Sequence, residues 1–355
     1  MINNSKRQVG IWLLCGVAMF LIQIFLGGAT RLTGSGLSIT EWKLIHGVIP
    51  PMNEQQWQEE FDAYKNFPQF KLTNSDMSLS EFKHIFFWEF FHRLWGRLIG
   101  VAFIIPFIYF LVKKKIDSAL GKKLILLFLL GAVQGLIGWL MVKSGLFPEV
   151  EDPMQGTAVN PVKLSIHLSL AAILVGALLW VALDCMQLKK EELKISKRQK
   201  NFSLALLILI FVQVIYGGLM AGHHAAIHFS TWPKIGNAWI PADMFALSPF
   251  VKNLFYNVEL IQLIHRTLAY LIFVFIFIYW FRFRHSSKTK FLTSLINLLP
   301  VIVSVQVLLG IFTLLQTNNK IPILLAELHQ MVGLSLLFVV VAILFQERNK
   351  FSKQN

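Results

Sequence analysis

Charge is scarce in this chain and cysteine is nearly absent. Only 15% of its 355 residues are Asp, Glu, Lys or Arg, against about 25% in ordinary soluble domains, which argues against a water-soluble globular protein. The two cysteines, Cys15 and Cys185, are too few for a disulfide framework or a thiolate metal centre, and both read as small apolar fillers. Acidic residues are fewer than basic ones, 19 against 33, leaving a net charge of +14. Such a surplus can mark a nucleic-acid binder, but its placement here excludes that reading.

Hydrophobic residues, by contrast, make up 55% of the chain, and mean hydropathy is +0.59. They fall in eight nearly uncharged runs, roughly 10–28, 86–111, 124–142, 164–186, 202–221, 258–281, 291–315 and 325–346. Each is long enough to cross a hydrocarbon layer of ~30 Å as a helix. The first run lacks a clear small-residue cleavage site and leads into a Gly-rich repeat, so it reads as a span and not a cleaved signal. If the N-terminus is cytoplasmic, twenty of the 33 basic residues fall in the inside segments, including Lys113, Lys114, Lys115, Lys189, Lys190 and Arg198, and ten fall in the much longer outside loops. This positive-inside pattern predicts a multi-pass membrane protein with both termini cytoplasmic. Anionic lipid headgroups, not nucleic acid, are then the expected neighbours of the basic surplus.

The chain repeats itself. The odd-numbered runs each carry Gln-x-x-x-Gly: Gln23 with Gly27, Gln134 with Gly138, Gln213 with Gly217, and Gln306 with Gly310. The even-numbered runs each carry one His near their start: His92, His167, His265 and His329. The expected fold is therefore an all-α integral membrane protein, eight transmembrane helices forming two tandem four-helix bundles as a parallel repeat. Its parts are an N-terminal half (1–186), a basic cytoplasmic linker (187–201) and a C-terminal half (202–355). The odd helices run outward and end on Gln and Gly, while the even ones begin outside with His. All eight features then lie at one depth, toward the extracytoplasmic face. Two long outer loops, about 29–85 and 222–257, carry Trp42, Trp57, Tyr64, Trp232 and Trp239 and suit a membrane interface or a cap over the pockets.

Four His at equivalent positions suggest two haem irons, each held axially between imidazoles of facing helices. An ionisable group inside a membrane is costly and usually functional. Arg93 and Arg266, directly after two of the His, suit haem propionates through bidentate carboxylate binding; snorkelling to headgroups is the bland alternative. Arg97 follows one turn deeper. Glu89 breaks the symmetry. It stands three residues before His92, on the same helix face, where the other half has Gln262 and the remaining ligand helices have Leu164 and Ala326. A carboxylate there moves protons or stabilises positive charge, or else forms a structural ion pair with Arg93 or Arg97. The asymmetry predicts a reactive first half and a second half that keeps a permanent cofactor. The glycines make room for a flat macrocycle or for another helix, and the Gln side chains bond across helices or to a ligand. His223, His224 and His228 have a spacing open to copper or zinc if helical, without a readable third ligand.

Several segments resemble the haem A synthase family, in its longer-loop type found in Gram-negative bacteria and mitochondria. They are GGATRLTGSGLSITEWK at 27–43, the Pro50–Pro68 loop, EFKHIFFWEFFHRLWGRLIG at 81–100, QGLIGWLMVKSGL at 134–146, and the later HL, HR and HQ pairs. The likeness spans nearly the whole chain. It implies a membrane-bound haem-dependent oxidoreductase that oxidises the C8 methyl of haem O to the formyl group of haem A, for cytochrome oxidase biogenesis. It further implies substrate haem between His92 and His167, Glu89 as the essential acid group, and haem b between His265 and His329. Haem O, an electron donor and haem O synthase become the expected partners, and a homo-oligomer is compatible. The AGHHAA stretch at 221–226 lacks the Asp of many members, and no outer-loop cysteine pair is present. Two rival readings remain. A di-haem electron carrier would want its haems at two depths and no Glu89. A haem transporter would want polar inner halves, which the runs lack.

Overall fold

The computed structural model describes residues 4–41, 46–147, 157–186, 195–285 and 289–348. Among these, regular structure is helical apart from one isolated bridge between Ile235 and Ala238. Eight helices are long and apolar enough to cross a membrane: α1 (Asn4–Leu32), α2 (Leu79–Val112), α3 (Ser118–Leu146), α4 (Pro161–Cys185), α5 (Lys197–Gly222), α6 (Val258–Phe283), α7 (Lys290–Leu315) and α8 (Ile323–Gln346). They coincide with the eight apolar runs but overrun most of their ends. The reason is capping: a polar side chain lying beyond the apolar stretch satisfies the first free N–H groups. Ser78 and Glu81 form a reciprocal capping box that starts α2 seven residues before its apolar run. Asp117, Asn160, Ser196, Asn257 and Thr289 cap α3 to α7 in the same way. Residues 197–201 of the expected linker are consequently the first turn of α5, while 187–194 lie outside the described residues.

Helices α4 and α8 are the most buried spans. They touch each other; α4 also packs on α1, α3 and α5, and α8 on α1, α5 and α7. Contacts α1–α2, α3–α4, α5–α6 and α7–α8 join each odd helix to its successor. The first four and last four helices meet through α4–α5, α1–α8 and α4–α8, an arrangement related by the same shift of four helices that relates the motifs.

The loop between α1 and α2 carries two further helices, Glu54–Lys65 and Pro68–Thr73. Trp57, Phe61 and Tyr64 pack against Phe82, Ile85, Phe86 and Phe90 at the start of α2. The Tyr64 hydroxyl donates to Gln69 (3.0 Å), and Gln69 Nε2 in turn donates to the Gly34 carbonyl (3.0 Å). Burial pushes the Tyr64 phenol up to about 12, so it stays a neutral donor. The loop is thus a packed cap over the ends of α1 and α2.

At the opposite, lysine-rich end the expectation of purely apolar helices fails. Gln199 and Ser203 of α5, Tyr279 of α6 and Glu347 just after α8 are all buried. Glu347 Oε1 accepts from Gln199 (2.7 Å) and Tyr279 (3.1 Å), and Ser203 donates to Tyr279 (2.9 Å). The equivalent positions of the first half hold Val9, Leu13, Pro106 and Cys185. A polar cluster therefore ties three helix ends together in the last four helices alone.

Candidate functional site

Each His stands against the Gln and Gly of the helix before it. A Cβ on Gly27 would lie 3.0 Å from His92 Nε2, and one on Gly138 2.8 Å from His167 Cε1. For Gly310 and His329 the distance is 2.8 Å, and for Gly217 and His265 it is 3.5 Å. Ordinary carbon contacts are about 3.5–4.0 Å. Three of the four glycines therefore leave space that no larger residue could without moving the ring. The occupant of that space is an imidazole carried by the neighbouring helix, the second of the two neighbours expected from sequence.

The glutamines complete the same unit. Gln23, Gln134 and Gln213 each donate Nε2 to the backbone carbonyl of their His, at 3.2, 3.0 and 3.0 Å. Gln306 differs: its own carbonyl accepts from His329 Nδ1 at 3.1 Å. That contact fixes the proton on Nδ1 and leaves Nε2 for a metal. The amide nitrogens of Gln134, Gln213 and Gln306 also lie 3.2–3.4 Å from ring nitrogens.

The units lie at one level. Gly28 of α1 faces Glu327, two residues before His329, and Gly218 of α5 faces Ser165, two residues before His167. The Gly-Gly pairs therefore set all four His in register. His92 and His167 are close enough to interact electrostatically. The rings of His265 and His329 have centroids 6.4 Å apart. Two imidazoles bonding one ion from opposite sides at about 2 Å would place their centroids roughly 6.3 Å apart.

A haem fits between His265 and His329 by this ring spacing, and a second observation extends to both pairs. It is the set of polar atoms left over: Oε1 of Gln23, Gln134, Gln213 and Gln306, and Nδ1 of His265, are buried with no hydrogen-bond partner among the described residues. Unsatisfied buried polar atoms are rare and mark an absent ion, water or ligand.

Glu89 and Gln262 occupy matching places and are matched by their loops. Glu89 is 2% exposed and Gln262 fully buried. Arg93 Nη2 donates to Glu89 Oε1 (2.6 Å), and Arg266 Nη2 to Gln262 Oε1 (2.6 Å). Each arginine also reaches into the loop beyond: Arg93 to the Ile39 carbonyl (3.0 Å), Arg266 to that of Lys234 (3.0 Å). The second atom of each pair meets opposite chemistry. Glu89 Oε2 accepts from Ser38 Oγ and Ile39 N, both at 2.8 Å. Gln262 Nε2 donates to the carbonyls of Ala225 (2.9 Å) and Phe229 (3.2 Å). The ion pair weighed for Glu89 is thus present, with Arg93. Arg93 and Arg97 together line a cleft of about 370 Å³ with Ile39, Pro50, Pro51 and Gln56.

Three residues escaped assignment in the sequence reading. Glu327 is buried between α1 and α8, and only its place two residues before His329 could have drawn notice. The glycine partners Gly28 and Gly218 were visible as a doublet but had no assigned neighbour. Among His223, His224 and His228, His223 Nε2 is bonded to the Phe255 carbonyl (2.8 Å). No group of three His, Cys, Asp or Glu among the described residues is arranged to hold a metal ion.

The chain is 42% identical over 328 residues to the haem A synthase of Parvibaculum lavamentivorans, covering 92% of this chain and 91% of that protein. It is 39% identical over 339 residues to that of Flavobacterium johnsoniae (94% and 96% covered) and 40% identical over 343 residues to that of Paracoccus denitrificans (96% and 87%). With residues 10–341 matching the family as a whole, this chain belongs to the cytochrome oxidase assembly protein family.

Proposed function

We propose that this multi-pass membrane protein is a haem A synthase, an oxidase converting haem O to haem A. The observation that carries the reading is the fourfold unit in which Gln-x-x-x-Gly of one helix seats the imidazole of the next, two units facing each other at each pocket.

The finer assignments follow from the differences between pockets. His92 and His167 hold the substrate haem, and His265 and His329 hold haem b, within two four-helix units. Support for the second pair is the 6.4 Å ring separation. When bound, haem b supplies one-electron chemistry. The protein's part is to fix geometry and charge. The glycine seats, with Gln bonds to the backbone of three of the His and a backbone carbonyl bonded to the ring of His329, position the imidazoles before iron arrives, so little ordering remains to be done on binding. Glu89 places a negative charge one turn from His92, where positive character develops as a methyl group is oxidised. Arg93 and Arg266 hold the pocket rims closed and present cationic groups to the propionates. The same reading puts the His level at the extracytoplasmic side of the inner membrane with both termini cytoplasmic. Haem O synthase and an electron donor are then partners at or beside the bilayer.

Pigment extraction from the purified protein, expressed where haem O is made, tests this directly. Haem B together with haem O and haem A is expected. Haem B alone, at two per chain, would replace the assignment with a di-haem electron carrier.

A further inference from the structure

Helices α2 and α3 touch at only a few positions, whereas their counterparts α6 and α7 pack far more closely. They are also the two least buried of the eight spans. The difference is written in side chains. Gly100 of α2 and Gly131 and Gly135 of α3 each face open space, where an added Cβ would meet nothing within 4 Å. Counting from the matched His and Gln, the equivalent residues of the last four helices are Phe273, Val303 and Val307. Phe273 packs against the main core and Val303 is buried within it. Between α2 and α3 the stack of Phe103 on Phe128, centroids 5.9 Å apart, lies inward of the three glycines, and the glycine positions themselves are left open.

The open positions are continuous with the His92–His167 pocket. Gly131, Gly135 and Gly138 recur at i, i+4 and i+7, one side of α3, and Gly138 is the seat of His167. At 1.5 Å per residue the cleft runs about 10 Å from the imidazole level toward the membrane centre, and Gly100 lies about 12 Å below His92 on the facing helix. We propose that this cleft is the binding site for the long isoprenoid chain that distinguishes haem O from haem b, and the lateral door through which substrate enters from the lipid and product leaves. The proposal rests on the haem A synthase reading. It explains why one pocket exchanges its haem and the other keeps it: the ligand units are alike, but only the first pocket has an apolar slot for a tail and an unsealed pair of helices. The slot also faces hydrocarbon, so an isoprenoid chain crosses it without meeting water.

The test fills the slot with the residues of the other half. Purified protein, its second pocket loaded with haem b, is titrated with haem O and separately with haem b, and binding at the first pocket is followed by absorbance. Wild-type protein should prefer haem O by at least about tenfold, the equivalent of burying about two methylene groups. Gly131→Val with Gly135→Val should abolish that preference, leaving haem b affinity at the first pocket and the spectrum of the second unchanged. Should the double variant fail to accumulate, the single Gly135→Leu change carries the same expectation. Equal affinity for the two haems in wild type would mean that the cleft holds lipid only and would overturn the proposal, as would a filled variant that keeps its preference. Wild-type protein that takes up neither haem at the first pocket would overturn the haem A synthase reading beneath it.

Discussion

Consider Gly310→Ala. The new methyl would lie 2.8 Å from Cε1 of His329, 3.3 Å from Nδ1 and 3.5 Å from Nε2. Relief to an ordinary contact requires the ring to move by about 0.7 Å. The ring cannot move freely, because Nδ1 is bonded at 3.1 Å to the carbonyl of Gln306, one turn earlier on the helix that carries the methyl. Overpacking of this kind costs about 1–3 kcal/mol, and replacing Gly by Ala in a helix returns about 1 kcal/mol. The apoprotein should therefore lose between ~0 and ~2 kcal/mol and still fold. Haem b should suffer more, by about 10–100-fold in affinity, because a displaced ligand loses both its direction and its tautomer-fixing partner. Gly217→Ala is the matched control: the same helix gain, but a methyl 3.5 Å from His265 Cε1, already a normal contact. The assay is haem b per protein from the reduced spectrum, with a thermal unfolding curve for each variant. Equal haem content in the two variants would refute the idea that glycine seats position the ligands.

Three other outcomes follow. His265→Ala or His329→Ala should lower stably bound haem b, while His92→Ala or His167→Ala should leave most of it and abolish haem A formation; equal losses from all four would erase the distinction between pockets. Tags at both ends should be cytoplasmic and a label at Lys65, which is half-buried at the end of the cap helix Glu54–Lys65, should react from outside; labelling of Lys65 from the cytoplasm would invert the topology. Glu89→Gln should keep the haem b spectrum, fail to reach the aldehyde and accumulate haem O or the alcohol; normal haem A output from a well-folded variant would end the assignment of Glu89 to the chemistry.

The spans and the repeat were legible because both are periodic signals in hydropathy and motif spacing. Several helix starts were not, because Ser78, Asp117 and Ser196 begin a helix from outside the apolar run. The four His were legible as a set. Their seats were not: a glycine names no partner, and only the fold shows that Gly27 and Gly138 serve His92 and His167 on the following helices. The Gln199–Ser203–Tyr279–Glu347 cluster was missed because its members are scattered over 149 positions, 199 to 347, with no shared spacing. The unsealed α2–α3 pair could have been read from Gly131 opposite Val303 and Gly100 opposite Phe273, since the repeat aligns them.

The contrast between Glu89 and Gln262 is more than one residue wide, and this bears on what Glu89 is for. A carboxylate accepts hydrogen bonds and an amide must also donate. The loop beside Glu89 offers two donors, the Ser38 hydroxyl and the Ile39 N–H, and the loop beside Gln262 offers two acceptors, the carbonyls of Ala225 and Phe229. Placing Gln at 89 would set an NH₂ group against the Ile39 N–H, or, if the amide turned, against the Arg93 guanidinium. Either way a buried donor is left unmet, at about 1–3 kcal/mol. A carboxylate needed only to pair with Arg93 would not require this, since Arg266 donates to the Gln262 amide oxygen at the same 2.6 Å. The first His pair therefore has a negative charge at a place where the second, with matching histidines and a matching arginine, has an amide. Charge at that point is the chemical difference between two otherwise matched sites.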